Sequence, residues 1–203
     1  MRARTKQLLL LIVTCLTLGA CSVEGRQAVD FLWPDLNDPY VAATRTWSRS
    51  QTLYDGVNAE FTAVATLASS DWREAYAQRY GEVYGLTPQE QQDFLDDQMR
   101  AHERETTFIV AVSGAKRELT RLAPRLKTWR ITVQNDGRTV LPQEVRPLQE
   151  EDWSSERLAA FFPHHTRWQK YYFIRFEPLS AGPVRLMVSG PAGRVAFDWQ
   201  NYK

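Results

Sequence analysis

Segment after segment of this chain alternates apolar and polar residues with a period of two, which restricts it to a fold built mainly of half-buried β-strands. In "NAEFTAVATLAS" the residues Ala59, Phe61, Ala63, Ala65 and Leu67 share one face, and Glu60, Thr62 and Thr66 lie on the other. "LKTWRITVQ" repeats the device with Trp129, Ile131 and Val133, and "QNDGR" supplies turn chemistry for a hairpin into "RTVLPQEV". Near the C-terminus Val184, Leu186 and Val188 alternate, "GPAG" turns the chain, and Val195, Phe197 and Trp199 alternate back. "TTFIVAVSG" and "QKYYFIRFEPL" are continuous apolar runs, suited to central strands buried on both faces.

With "ATRTWSRSQTLY" the count reaches about eight strands, and no βαβ alternation calls for a parallel sheet. The expected fold is mainly β: an antiparallel β-sandwich. Its outline resembles an immunoglobulin-like domain, although the usual cysteine pair is absent. A half-barrel α+β fold of the lipid-carrier type is the alternative, since it too is assembled from antiparallel strands and helices.

Two helical segments interrupt the strands. "DWREAYAQRYGEVYGL" offers Asp71 as a cap with Glu74 three residues on, stacks Trp72, Tyr76, Tyr80 and Val83 at helical spacing, and stops at Gly85. "TPQEQQDFLDDQMRAHERE" restarts with Thr87 as cap, Pro88 in the first turn and Glu90 completing a capping box. A helical hairpin inserted between strands over about residues 71–103 follows. A shorter helix is expected through "SSERLAAFF", ended by Pro163.

The N-terminus carries a different message. Arg2, Arg4 and Lys6 precede an almost wholly apolar run from Leu8 to Leu18, the size of a signal-peptide core and too short for a helix spanning ~30 Å of hydrocarbon. Leu18-Gly19-Ala20-Cys21 then resembles the lipobox of bacterial lipoproteins. That resemblance implies cleavage before Cys21 and attachment of a diacylglyceryl group, usually with a third acyl chain on the amine. Two or three chains hold a protein on a bilayer durably, at ~0.8 kcal/mol per buried methylene. Ser22 stands where many Gram-negative lipoproteins kept in the inner membrane carry Asp, so the same resemblance implies the outer membrane, facing the periplasm.

The expected organisation is therefore a signal peptide over 1–20, a lipidated tether over 21–42 rich in Pro, Gly, Asn and Asp, and a single β-sandwich domain over 43–203. With Cys15 removed and Cys21 alkylated, the mature chain has no thiol for a disulfide, and the fold rests on its core. Losing Arg2, Arg4 and Lys6 turns the formal charge of +1 slightly negative, which offers no nucleic-acid surface.

Candidate functional residues are few. Phe31 and Trp33, in the apolar "FLWPDL" of the tether, and the stripe of Trp72, Tyr76 and Tyr80 are candidate partner-binding aromatics. Against that stands the commoner use of such groups, docking on the protein's own core. His102 and the pair His164-His165 do not make a zinc signature, because adjacent histidines tend to point apart. Asp96 and Asp97 diverge by about 100° on a helix and form no carboxylate pair. The chain lacks G-x-S-x-G, C-x-x-C, H-E-x-x-H and P-loop patterns. No cofactor and no catalytic residue is assigned.

The expected function is a non-catalytic binding or assembly module of the cell envelope, anchored through lipidated Cys21, with a membrane and an envelope protein as partners. A periplasmic hydrolase acting on glycan or peptide, and a lipid or lipoprotein carrier, are the alternatives.

Overall fold

The computed structural model describes residues 38–122, 128–148 and 153–202. The chain divides into two compact units, Met1–Ala42 and Ala43–Lys203. The signal peptide, Cys21, Phe31 and Trp33 lie outside the described residues.

Helix α1 runs Pro39–Trp47. Asp38 starts it: its Oδ1 accepts from the backbone N–H groups of Tyr40 at 2.8 Å and Val41 at 3.2 Å. Pro39, one of the prolines of the expected tether, occupies the first helical position, where a missing N–H costs nothing. The stretch "ATRTWSRSQTLY" accordingly becomes a strand only from Ser48 onward.

Among the described residues nine strands and three further helices follow. Their order is β1 (Ser48–Asp55), β2 (Asn58–Leu67), α2 (Ser70–Tyr84), α3 (Pro88–Arg104), β3 (Thr106–Gly114), β4 (Arg130–Asn135), β5 (Arg138–Val140), β6 (Glu144–Pro147), α4 (Ser155–Phe161), β7 (Lys170–Phe176), β8 (Gly182–Gly190) and β9 (Gly193–Tyr202). They form a five-stranded sheet in the order β1-β2-β3-β7-β6 and a four-stranded sheet in the order β5-β4-β8-β9. Every pairing is antiparallel.

The inner faces of the two sheets meet in one core. Phe61, Phe108, Val110 and Ile174 come from the first sheet, and Ile131, Val133, Leu186, Val188, Phe197 and Trp199 from the second. Phe61 lies 4.7 Å from Trp129, and Phe108 lies 5.4 Å from Trp199, ring centre to ring centre. This is a sandwich of two packed sheets and not the half-barrel. Strand β3 is buried from Thr106 through Val112, as its continuous apolar run requires of a central strand.

One expected strand splits in two. "RTVLPQEV" begins as β5, turning from β4 through Asp136 and Gly137 at φ 50° and 70°, the backbone of a tight primed turn. Pro142 brings no N–H to a ladder, and the chain crosses to the other sheet, where Gln143 N donates to Arg175 O at 2.8 Å and β6 pairs with β7.

The helical hairpin leaves and re-enters the sheet between the neighbouring strands β2 and β3. Its first cap is Ser69, whose Oγ accepts from Trp72 N at 3.2 Å, and not Asp71, which sits in the first turn. Gly85 ends α2 at φ 64°. Thr87 and Glu90 form the reciprocal capping box of α3. Arg73 ties the insertion down: its guanidinium donates to Ala68 O, to Gln98 Oε1 on α3 and to Thr107 Oγ1 on β3, at 3.0–3.1 Å.

Candidate functional site

The aromatic stripe of α2 runs from buried to exposed. Trp72 is buried, stacks on Tyr76 at 5.1 Å and donates its indole N–H to Thr44 Oγ1 at 3.2 Å. Tyr76 is buried between Phe94 of α3 and Phe161 of α4, at 5.9 and 5.2 Å. Burial pushes its hydroxyl up to about 12, opposed by the nearby Arg157. Tyr80 is half-buried and stacks on Phe94 at 4.2 Å. The next member is Tyr84, exposed and 4.4 Å from Tyr80. Val83 points to solvent, because a helix repeating every 3.6 residues carries the stripe along i, i+4. Trp72 and Tyr76 are thus buried inside the protein: Tyr76 packs the hairpin against α4, and Trp72 ties it to Thr44. Arg157 of α4 lies over Trp153 at 4.3 Å and over Tyr84 at 5.8 Å, closing the outer end of this layer.

The histidines fall in two places. His102, on α3, is buried with its ring edge toward Tyr202 at 5.7 Å. His164 and His165 lie between α4 and β7. His165 Nδ1 is 3.3 Å from Tyr171 Oη, which donates to Gln169 Oε1 at 3.0 Å, so the imidazole donates to the phenol oxygen through Nδ1. Its Nε2 is then the acceptor facing Ser155 Oγ at 3.2 Å. Burial, helped by His165, lowers His164 to about 4. Among the described residues no three His, Cys, Asp or Glu side chains are grouped to hold a metal.

The sandwich opens at the edge where β5 and β6 part into different sheets. A groove of about 440 Å³ lies there, lined by Trp129, Ile131, Leu141, Pro142, Val145 and Gly190 among others. Trp129 is held in place by its indole N–H, which donates to Leu119 O at 2.8 Å. Gly190 is a glycine because a Cβ there would collide with Thr128 O and come within 2.6 Å of Trp129 Cε3. Leu141 stands 59 % exposed on the rim. Sequence reasoning missed this site. Its traces were Pro142 interrupting a strand and Gly190 opening a turn, neither of which announces a groove.

No protein-family model matches the chain, and no curated protein matches it. Among solved structures it is similar to a DUF4426 family protein from Pseudomonas aeruginosa PAO1, with 11% identity, 75% of this chain and 94% of that chain covered, and a TM-score of 0.38. It is also similar to a novel protein of unknown function from Burkholderia pseudomallei K96243, with 11% identity, coverage of 86% and 88%, and a TM-score of 0.40. Likeness at this level assigns neither a family nor an activity to the chain.

Proposed function

We propose that this chain is a lipoprotein of the bacterial cell envelope, held on a membrane through acyl chains on Cys21, with its β-sandwich acting as a non-catalytic binding or assembly module. The observation that carries the reading is the register of Leu18-Gly19-Ala20-Cys21 behind a basic start and an apolar run. No helix among the described residues is long and apolar enough to cross a membrane. In a Gram-negative host, Ser22 favours the outer membrane with the domain facing the periplasm.

The binding role is supported by the groove at the open edge of the sandwich, where exposed Leu141 offers apolar area above a fixed, buried Trp129, beside main-chain edges. An extended apolar segment of an envelope protein suits it. The test is in-cell crosslinking from a photoreactive residue at position 141, in the native chain and in Cys21→Ser. A defined protein captured by the anchored form and lost in Cys21→Ser supports the reading. Normal maturation and membrane fractionation of Cys21→Ser would overturn the anchor, and labelling of solvent alone would overturn the groove.

The hydrolase alternative draws on one contact, Ser155 Oγ facing the acceptor nitrogen of His165 at 3.2 Å, oriented from behind by Tyr171. It predicts reaction of Ser155 with a fluorophosphonate, abolished in His165→Gln. An unreacted Ser155 removes it.

A further inference from the structure

We propose that a pocket bounded by the end of α1, the start of β1 and the segment after α4 is a binding site for a phosphate ester. The pocket holds about 400 Å³ and is lined by Thr44, Arg45, Ser48, Arg49, Ser50, Val64, Pro163 and His164. The inference is independent of the groove and of the anchor on Cys21.

The charge of the pocket is one-sided. It contains two guanidinium groups, and no carboxylate is among the described residues that line it. Arg49 is held by main-chain oxygens: Nη1 donates to Thr46 O at 2.7 Å and to Ser48 O at 2.8 Å, and Nε donates to Asp198 O at 3.0 Å. Carbonyl dipoles fix the plane of a guanidinium but leave its unit charge in place, and Nη2 enters none of these three bonds. The ring of Trp199, 5.7 Å from the guanidinium carbon, braces it further. Asp71 borders a separate concavity that also touches Arg49. The Asp198 carboxylate is taken by Arg185 at 2.5 Å.

Around these cations stand neutral donors. Thr44 Oγ1 accepts the indole N–H of Trp72, which leaves its own hydroxyl hydrogen to donate. Ser50 adds a hydroxyl, Ser48 Oγ shares a hydrogen bond of 2.7 Å with Thr66 Oγ1, and Val64 and Pro163 add an apolar side. Burial holds His164 neutral near pH 7, so it brings an N–H rather than a third charge. A preoriented guanidinium, a second one at exposed Arg45, hydroxyl groups and an apolar flank match a phosphoryl group esterified to an organic body. That chemistry is shared by soluble phosphate esters and by phospholipid headgroups.

The experiment titrates full-length protein in detergent with glycerol 3-phosphate and, separately, with dihexanoylphosphatidylglycerol, following amide shifts at residues 44–50 and 164. Saturable binding that weakens with salt is expected, and Arg45→Gln should reduce affinity by about tenfold with an unchanged melting temperature, the worth of one charge-assisted hydrogen bond. Arg49→Lys keeps the charge but loses the carbonyl clamp, and should weaken binding as well. Binding of both probes identifies a site for phosphate esters in general; binding of the lipid alone identifies a headgroup site. Absence of binding by either probe at millimolar concentration overturns the proposal, as does affinity for both that Arg45→Gln leaves untouched.

Discussion

The indole Nε1 of Trp199 donates to the main-chain carbonyl of Trp47 at 3.0 Å, linking β9 of one sheet to the residue that enters β1 of the other. Trp199 is buried, so this bond replaces water on its indole N–H. Trp199→Phe should keep most of the packing against Phe108 and lose the bond, destabilising by about 1–2 kcal/mol. Trp199→Ala should cost about 3–5 kcal/mol. Urea unfolding of the two variants, followed by tyrosine fluorescence and far-UV dichroism, separates these values.

Arg73 is a buried cation whose pKa burial lowers, opposed chiefly by Glu105. Its three bonds to Ala68, Gln98 and Thr107 hold the hairpin on β3. Arg73→Met fills part of the space but strands those acceptors, and a loss of about 2–4 kcal/mol is expected. Hydrogen exchange should show the loosening first in α2 and α3, before the sheets. Uniform exchange across the domain would contradict that order.

Stability should depend on pH through His164. Its folded-state value of about 4 lies below the ordinary 6.5, chiefly because burial disfavours the cation. Between these values the unfolded chain binds a proton that the folded chain does not. The contribution is therefore complete above about pH 6.5 and is lost as pH falls toward about 4. His165, also lowered by burial, acts in the same direction. His164→Phe should flatten the stability profile in this window, by on the order of 3 kcal/mol. Thermal melts of both proteins between pH 4 and pH 7 in ~0.5 unit steps provide the comparison; parallel profiles would remove His164 as the cause.

Gly190→Ala should be destabilising although position 190 is only partly buried. The added methyl meets Thr128 O and the Trp129 ring, so the groove wall must shift, at about 1–3 kcal/mol. Gly85→Ala has open space around it and should cost only about 1 kcal/mol, from the φ of 64° alone. A larger effect at position 85 than at position 190 would reverse this argument.

Much of the sandwich was legible because its signals are local. Alternation marked β2, β4, β8 and β9, unbroken apolar runs marked β3 and β7, and Thr87-Pro88 with Glu90 marked the start of α3. Where two local signals compete, the local pattern alone does not decide the helix boundary. Asp71 was as good a cap on paper as Ser69, and Pro39 reads equally as a breaker or as the first residue of a helix, until the Asp38 carboxylate is seen on the N–H groups of Tyr40 and Val41. The candidate sites were far less legible. Arg45, Arg49 and His164 are ordinary residues more than a hundred positions apart at the extremes, and only their convergence gives them meaning.

Period, turn chemistry and capping act over a few residues, so strands and helices can be read along the chain. Sheet order, the division of β5 from β6, the burial of Trp72 and Tyr76, and the groove beside Gly190 arise from contacts between distant segments. Trp47 and Trp199 lie 152 positions apart in sequence, and no local pattern requires one to accept the other's hydrogen bond. Which strands become neighbours depends on how all the apolar faces are buried at once, a condition that exists only in the folded molecule.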